Sequence, residues 1–170
     1  MNSNKNHIIM KDSHISIIKK TTLEQGLFVT SGNNPPNLMA THWGSIGYFW
    51  NRWVFVLPVR YNKLTHDIID ETKEFTVSVP YKDLRYYIMK IDNLAGRTHD
   101  KFSEFHLHPI KARKVQSYIV GDCDLHLECK VIYTGNMSSG DIDPTLKNEM
   151  YSTKNFHTMY FGEIVDIYEK

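Results

Sequence analysis

Alternation of apolar and polar residues is clearest from Cys123 to Tyr133. Cys123, Leu125, Leu127, Cys129, Val131 and Tyr133 fall on one side, and Asp124, His126, Glu128 and Lys130 on the other. A period of two marks a β-strand. Glu74 to Val79 alternates in the same way and is rich in β-formers. Gly26 to Gly32 predicts a strand ending in a turn, followed by the turn cluster Ser31 to Pro36. Asn37 to His42 resumes as an extended segment, and His157 to Tyr168 closes the chain as another. Val54 to Arg60 is an apolar run of strand length. Pro58 within it predicts an edge or a bulge, because proline donates nothing to a sheet ladder.

Helical spacing is rarer. Leu84, Tyr87, Ile88 and Ile91 predict an amphipathic helix over Lys82 to Leu94. Thr65 reads as the N-cap of a helix that carries Asp67 in its first turn and runs through Ile68 and Ile69. Thr98 reads as the cap of a short helix reaching Phe105. Strands dominate and do not alternate with helices, so a doubly wound parallel sheet is disfavoured. The expected fold is mainly β: an antiparallel barrel with a few peripheral helices, in a single domain over residues 1–170. The first dozen residues read as a loose arm.

Composition changes this picture little. The chain has 170 residues with 20 Lys and Arg against 19 Asp and Glu, so no single-sign field favours nucleic acid. No apolar run reaches membrane-spanning length, and residues 1–7 lack the apolar stretch of a secretory signal. The expected compartment is the cytoplasm. Cys123 and Cys129, placed on one strand, would point to one face about 20 Å apart, beyond disulfide reach. They read as reduced, packed thiols. His106 and His108 alternate, but no third ligand at recognisable spacing accompanies them, so no metal site is assigned.

Four segments could carry chemistry. Arg60 to Thr65 places two cations and a hydroxyl between a strand end and a helix start, where unsatisfied N–H groups and the helix dipole favour an anion. Read alone, it is more readily an ordinary basic turn followed by a capped helix. Asn37 to Gly44 could present backbone groups to the edge of a flat heterocycle, with Trp43 and Trp50 as walls; the alternative is aromatic packing or a subunit contact. Gly96 to Phe102 combines a turn glycine with Lys101, which could reach an anion or simply be solvated. His157, at a strand start, could donate a proton or contact a second substrate. Fingerprints for dinucleotide, phosphate-loop, zinc-protease and nucleophile-elbow chemistry are absent from the sequence.

In order and spacing these segments resemble the flavin reductase-like family, the FMN-binding split barrels that include flavoredoxins. Asn37-Leu38-Met39, Trp43-Gly44 and Gly47 to Trp50 resemble its N-x-M-T-x-S-W-G…G-x-x-W block. Val59-Arg60…Lys63…Thr65 resembles its V-R-P-x-R-x-T block, and Gly96-Arg97…Asp100-Lys101 its S-G-R-x-x-D-K turn. Glu74 to Ser78, Glu128-Cys129-Lys130 and His157…Gly162-Glu163-Ile164 resemble its other strands.

The resemblance implies a Greek-key split barrel, a homodimer with FMN near the subunit boundary, and hydride transfer from NAD(P)H. A protein or a small molecule would then accept the electrons. It implies that Arg60, Lys63, Thr65 and Lys101, with the Gly96 turn, handle phosphate. Asn37, Met39, Ala40, Thr41, His42 and Trp43 would line the rest of the flavin, and His157 would sit near the nicotinamide. The chain departs from the pattern at Ala40 and His42, where the family has hydroxyls, and at Trp53, Tyr61, Lys63 and Ala95.

Overall fold

The computed structural model describes residues 8–170. In chain order the elements are α1 (Asp12–Glu24), β1 (Leu27–Ser31), β2 (Asn37–Thr41), β3 (Ser45–Phe49), β4 (Arg52–Arg60), α2 (Leu64–Thr72) and β5 (Glu74–Val79). They continue as α3 (Arg85–Asp92), α4 (Lys101–Glu104), β6 (Pro109–Lys111), β7 (Tyr118–Val120), β8 (Leu125–Asn136), α5 (Pro144–Met150) and β9 (His157–Glu169). Most of the arm expected over residues 1–12 lies outside the described residues.

Seven strands form one antiparallel sheet in the order β2-β1-β5-β8-β9-β4-β3, and β6-β7 is a separate hairpin. The edges are β2 and β3, yet only residues 42–44 separate them in sequence. Six inter-strand steps in a flat sheet span about 29 Å. The four Cα–Cα steps from Thr41 to Ser45 reach at most about 15 Å. The sheet therefore curls until its edges approach, while those edges stay unpaired with each other. This is the expected mainly β split barrel. The crossing from β4 to β5 passes β9 and β8 and carries α2, as a Greek-key connection does.

The barrel interior is filled by Leu27, Val29, Phe55, Leu57, Phe75, Val77, Leu125, Leu127 and Tyr160, none of them measurably exposed. The outer face of β1 and β2 is covered too: Phe28, Leu38 and Ala40 pack against Ile88 and Ile91 of α3 and Phe102 of α4. Both faces of these two strands are buried, which is why they read as continuous rather than alternating runs. Pro58 faces β9 opposite Met159 but lies past the end of β3, whose pairing stops at Val56. The edge expected from the proline is thus real and local.

Several local expectations are corrected. Helix α2 starts at Leu64 with Lys63 at the cap, so Thr65 lies inside its first turn. Helix α4 is capped by Asp100, whose side chain accepts from the Ser103 N–H, and not by Thr98. Helix α3 is shorter than Lys82 to Leu94; the Asp83 carboxylate accepts from the Arg85 N–H at its start. Cys123 precedes β8 and packs with the α3 cluster, whereas Cys129 lies in the barrel interior, so the two do not share a face. Both are free thiols whose pKa burial pushes upward.

In β8 the alternation holds only at first. Register shifts at Glu128/Cys129 and Val131/Tyr133 break it, and Tyr133 ends up exposed. On the polar side His126 and Glu128 are buried: the turn after β6 folds over Glu128, and His126 lies against the Ser78 hydroxyl and the Tyr168 ring. The Glu128 carboxylate accepts from the N–H groups of Arg113 (2.7 Å), Lys114 and Val115 (3.1 Å), and from the Tyr168 hydroxyl (2.8 Å). A buried carboxylate needs such donors, and they need it.

Glu128→Ala is expected to lower unfolding stability by about 2–4 kcal/mol, since it strands one buried and three partly buried donors at once. Glu128→Gln, which keeps an acceptor oxygen, is expected to cost less. Urea unfolding of the three proteins checks the ranking, and an alanine variant as stable as wild type would contradict it.

Candidate functional site

A cavity of ≈ 390 Å³ opens at the seam of the barrel. One wall is the end of β2 and the link beyond it: Met39, Ala40, Thr41, His42 and Trp43. The Thr41 hydroxyl accepts from the Trp43 N–H (3.0 Å) and lies 3.2 Å from the Trp43 carbonyl, so it closes a small turn. That turn aims the indole inward. Gly44 follows where no side chain fits: an added Cβ would stand 2.6 Å from the Phe55 ring.

The opposite wall is the end of β4 and the turn after it, with Arg60, Asn62 and Lys63. Arg60 pairs with His157 across β4 and β9, so the histidine at the start of β9 sits beside it. The His157 ring lies 4.6 Å from the Trp43 ring at 30°. Its Nδ1 is 2.9 Å from the Tyr151 hydroxyl. Burial and the neighbouring Arg60 charge push its pKa down to about 4, so the imidazole is neutral at neutral pH. In that state it offers hydrogen bonding rather than a charge-borne acidic proton.

Arg60 is already engaged. It donates to the carbonyls of Asn155 (2.7 Å) and Met150 (3.3 Å), and its guanidinium lies 5.4 Å from the centre of the Tyr151 ring. It thereby fastens α5 and the loop after it to the cavity, and Met150 and Asn155 complete the lining.

Lys63 donates to the Asp92 carbonyl (3.0 Å) and lies 3.4 Å from an Asp92 carboxylate oxygen. A second cavity of ≈ 190 Å³ shares Asn62, Lys63 and Asp92 with the first and extends along Leu64 and the turn from Asn93 to Arg97. It therefore meets the N-terminus of α2, where first-turn N–H groups point outward. Lys101 is buried, 4% exposed, and its ammonium donates to the Ile91 carbonyl at 3.1 Å. Desolvation, and then the charge of Lys63, push its pKa down to about 8. Two ammonium groups thus gather at the C-terminal end of α3, where the helix dipole favours cations.

Of the remaining expected residues, Gly96 lines the second cavity, while Asn37 and Thr65 lie behind this surface. Thr65 is 2% exposed, and its hydroxyl accepts from the Asn37 amide at 2.9 Å. A Cβ on Gly96 would fall 2.5 Å from the Asn37 side-chain oxygen. Asn37, Thr65 and Gly96 therefore form a tight junction between β2, α2 and the turn before α4. Asn37, Gly96 and Lys101 also line a separate cavity of ≈ 640 Å³ beyond it.

In sum, Met39, Ala40, Thr41, His42, Trp43, Arg60, Lys63 and His157 come together around the first cavity. Thr65 lines none of the three described here. Asn62, Asp92, Met150, Tyr151 and Asn155 were not anticipated. For the α5 segment a readable signal exists: Asp143-Pro144, an N-cap aspartate followed by proline at the first helical position. Among the described residues, no group of three or more His, Cys, Asp or Glu is placed to hold a metal ion. His108 instead faces Asp122 at 3.2 Å. Aromatic rings at one end and cations at the other suit a flat ring system that carries an anion.

Comparison with known proteins agrees with this architecture. An uncharacterized protein of Archaeoglobus fulgidus is 25% identical over 139 residues, spanning 82% of this chain and 68% of its own length. The structure resembles flavoredoxin of Desulfovibrio vulgaris (TM-score 0.68, 22% identity, 86% of this chain and 69% of that one). It also resembles an NADH:FAD oxidoreductase of Streptomyces globisporus (TM-score 0.65, 14% identity, 95% and 86%). Residues 28–170 match the family described as flavin reductase like domain, and the chain belongs to that family.

Proposed function

We propose that this protein binds FMN in the seam cavity and works in the cytoplasm as an NAD(P)H-dependent flavin reductase. The observation that carries the reading is the polarity of the joined cavities. Trp43 and neutral His157 line one part, while Lys63 and the start of α2 line the other, with buried Lys101 close to Lys63. The donor set fits the group. Lys63 and the α2 N-terminus would hold the phosphate, and Lys101 would add positive potential from behind. Met39 to Trp43 would flank the ring system through backbone groups and the indole. Ala40 supplies no hydroxyl, and the Thr41 hydroxyl is occupied by Trp43, so backbone groups must carry the polar contacts there.

FMN supplies hydride and electron chemistry when bound, and no protein nucleophile is needed. The chain's part is to bind, to orient and to exclude water. The cationic end stabilises an anionic ligand, and His157 holds a hydrogen bond at the cavity wall without adding charge.

Homodimerisation belongs to this reading. Strand β3 is an uncovered edge, and Tyr48, Phe49, Trp50 and Tyr133 are exposed around it. The same surface supports a second reading, in which the protein is a flavoredoxin-like carrier reduced by a protein docking on those aromatics.

Titration with FMN is expected to give a yellow holoprotein, and anaerobic mixing with NADH or NADPH is expected to bleach it. Bleaching by a reduced protein partner but by neither nucleotide would replace the reductase reading with the carrier. A protein that binds no FMN would end both.

The phosphate assignment has its own check. Lys63→Ala is expected to weaken FMN about tenfold, the size of one charge-assisted hydrogen bond, while leaving riboflavin affinity unchanged. Fluorescence titration with both ligands measures this, and equal effects on the two would remove Lys63 from the phosphate site.

A further inference from the structure

His157 has two ring nitrogens, and the structure treats them differently. Nδ1 faces the Tyr151 hydroxyl at 2.9 Å, whereas Nε2 makes no hydrogen bond with any described residue, on a ring that lines the cavity. A neutral imidazole carries its single proton on one nitrogen, and the partner of the other nitrogen decides which. The question is therefore where the Tyr151 proton points.

Among the described residues, two acceptors lie within reach of that hydroxyl: His157 Nδ1 at 2.9 Å and Met137 Sδ at 3.3 Å. If the proton goes to sulfur, the phenol oxygen accepts from an Nδ1–H, and Nε2 is a bare lone pair. If it goes to Nδ1, the ring proton sits on Nε2. Both arrangements keep the bond between phenol and imidazole. The first adds only a contact to a weak thioether acceptor, whereas the second lets the acidic phenol O–H donate to the basic imidazole nitrogen, the stronger sense of that bond, so the second arrangement prevails. Burial raises the Tyr151 pKa, which keeps the phenol protonated and able to donate.

The hydroxyl is also held in place. Tyr151 is 4% exposed and follows α5 as its C-cap. Phe156 stacks on its ring (5.2 Å, 26°), and the Arg60 guanidinium lies 5.4 Å from the ring centre. Arg60 in turn holds the carbonyls of Met150 and Asn155 on either side. On the other side of His157 the Trp43 ring packs at 4.6 Å. The imidazole is therefore limited in both rotation and tautomer.

We propose that Tyr151 is a positioning residue that fixes His157 as the Nε2–H tautomer, so that the cavity wall presents a hydrogen-bond donor. The consequence is a specificity rule: the ligand edge lying against His157 presents an acceptor, a carbonyl oxygen or an unprotonated ring nitrogen. The rule rests on reading this cavity as the flavin site, but the tautomer does not depend on that reading.

The experiment uses full-length, ¹⁵N-labelled protein without ligand. Long-range ¹H–¹⁵N correlations of His157, assigned with His157→Gln, report the tautomer. The wild type is expected to show the Nε2–H pattern, and Met137→Leu to preserve it. Tyr151→Phe is expected to give a mixture of tautomers while amide resonances remote from the cavity stay in place. An Nδ1–H pattern in the wild type overturns the proposal, even if Tyr151→Phe fails to fold. So does a Tyr151→Phe protein that keeps a pure Nε2–H pattern.

In FMN titrations Tyr151→Phe is expected to weaken binding about threefold to tenfold, the range of one ordinary hydrogen bond. His157→Gln, which retains an N–H donor, is expected to bind more tightly than His157→Ala. Loss of this ranking overturns the specificity rule. A wild type that binds no FMN overturns the flavin reading and leaves the tautomer result to stand by itself.

Discussion

Three residues joining the two edges of the sheet set the geometry of the molecule. His42, Trp43 and Gly44 cross from β2 to β3, strands that stand at opposite ends of the seven-strand order. A link this short is incompatible with a flat sheet, so the curl of the barrel and the position of the link are one fact. The link necessarily lies at the seam, where the ends of β2, β4 and β9 converge. A side chain placed there faces a gap that the backbone cannot close, since the edges do not pair. Trp43 fills part of it, and the remainder is the cavity. The close approach of Gly44 to the Phe55 ring is the steric side of the same constraint.

The cations around that cavity have distinct employments. Arg60 is spent on protein: two carbonyls and a tyrosine ring hold it, and it holds α5. Lys63 is tied to Asp92 at the surface, through contacts that an incoming anion can exchange at little cost. Lys101 is buried with a single protein acceptor, and that burial lowers its pKa. It lines neither of the two joined cavities, so toward an anion held at Lys63 it would act as a charge at a distance. The three residues look alike in sequence, as members of basic motifs. All three donate to backbone carbonyls, and what separates them is the rest of their surroundings: the Tyr151 ring for Arg60, the exposed Asp92 carboxylate for Lys63 and burial for Lys101.

How much was legible follows from how each element is buried. Strands β1, β2, β4, β5, β8 and β9 were readable because each carries an apolar face into the barrel. Helix α1 was not: its buried positions are His14, Ile18, Thr21 and Thr22, so no apolar stripe marks it. Helix α5 buries none of its residues, and only its capping pair announces it. Strand β3 is largely uncovered, so alternation has no reason to appear. The alternation of β8 misled at both ends, because the strand begins after Cys123 and bulges before Tyr133. For the site, the residues on β2, β4 and β9 were readable through their resemblance to known blocks. Asp92 and Tyr151 were not, because each acts through long-range or loop-borne contacts that leave no period in the sequence.

The junction of Asn37, Thr65 and Gly96 shows why a motif residue need not touch a ligand. Asn37 donates to Thr65, and Gly96 leaves room for the Asn37 side-chain oxygen. Replacing any of them would move β2, α2 or the Gly96 turn relative to the others, and these three elements carry Met39, Lys63 and Arg97 to the cavity walls. Their effect on a ligand is transmitted through position. Trp43 and His157, in contrast, act at the surface of the cavity and are neutral there; the Arg60 charge beside His157 is held by protein carbonyls and the Tyr151 ring, while Lys63 and Lys101 gather at the other end. On the proposed reading, this arrangement would orient a ring-plus-anion ligand before any individual hydrogen bond forms. The anion cannot lie against the indole without losing its solvation, and the ring gains nothing among the ammonium groups. Orientation would therefore be decided by the coarse electrostatics of the barrel seam, and the proposed hydrogen bond at His157 would discriminate among ligand edges already placed the right way round.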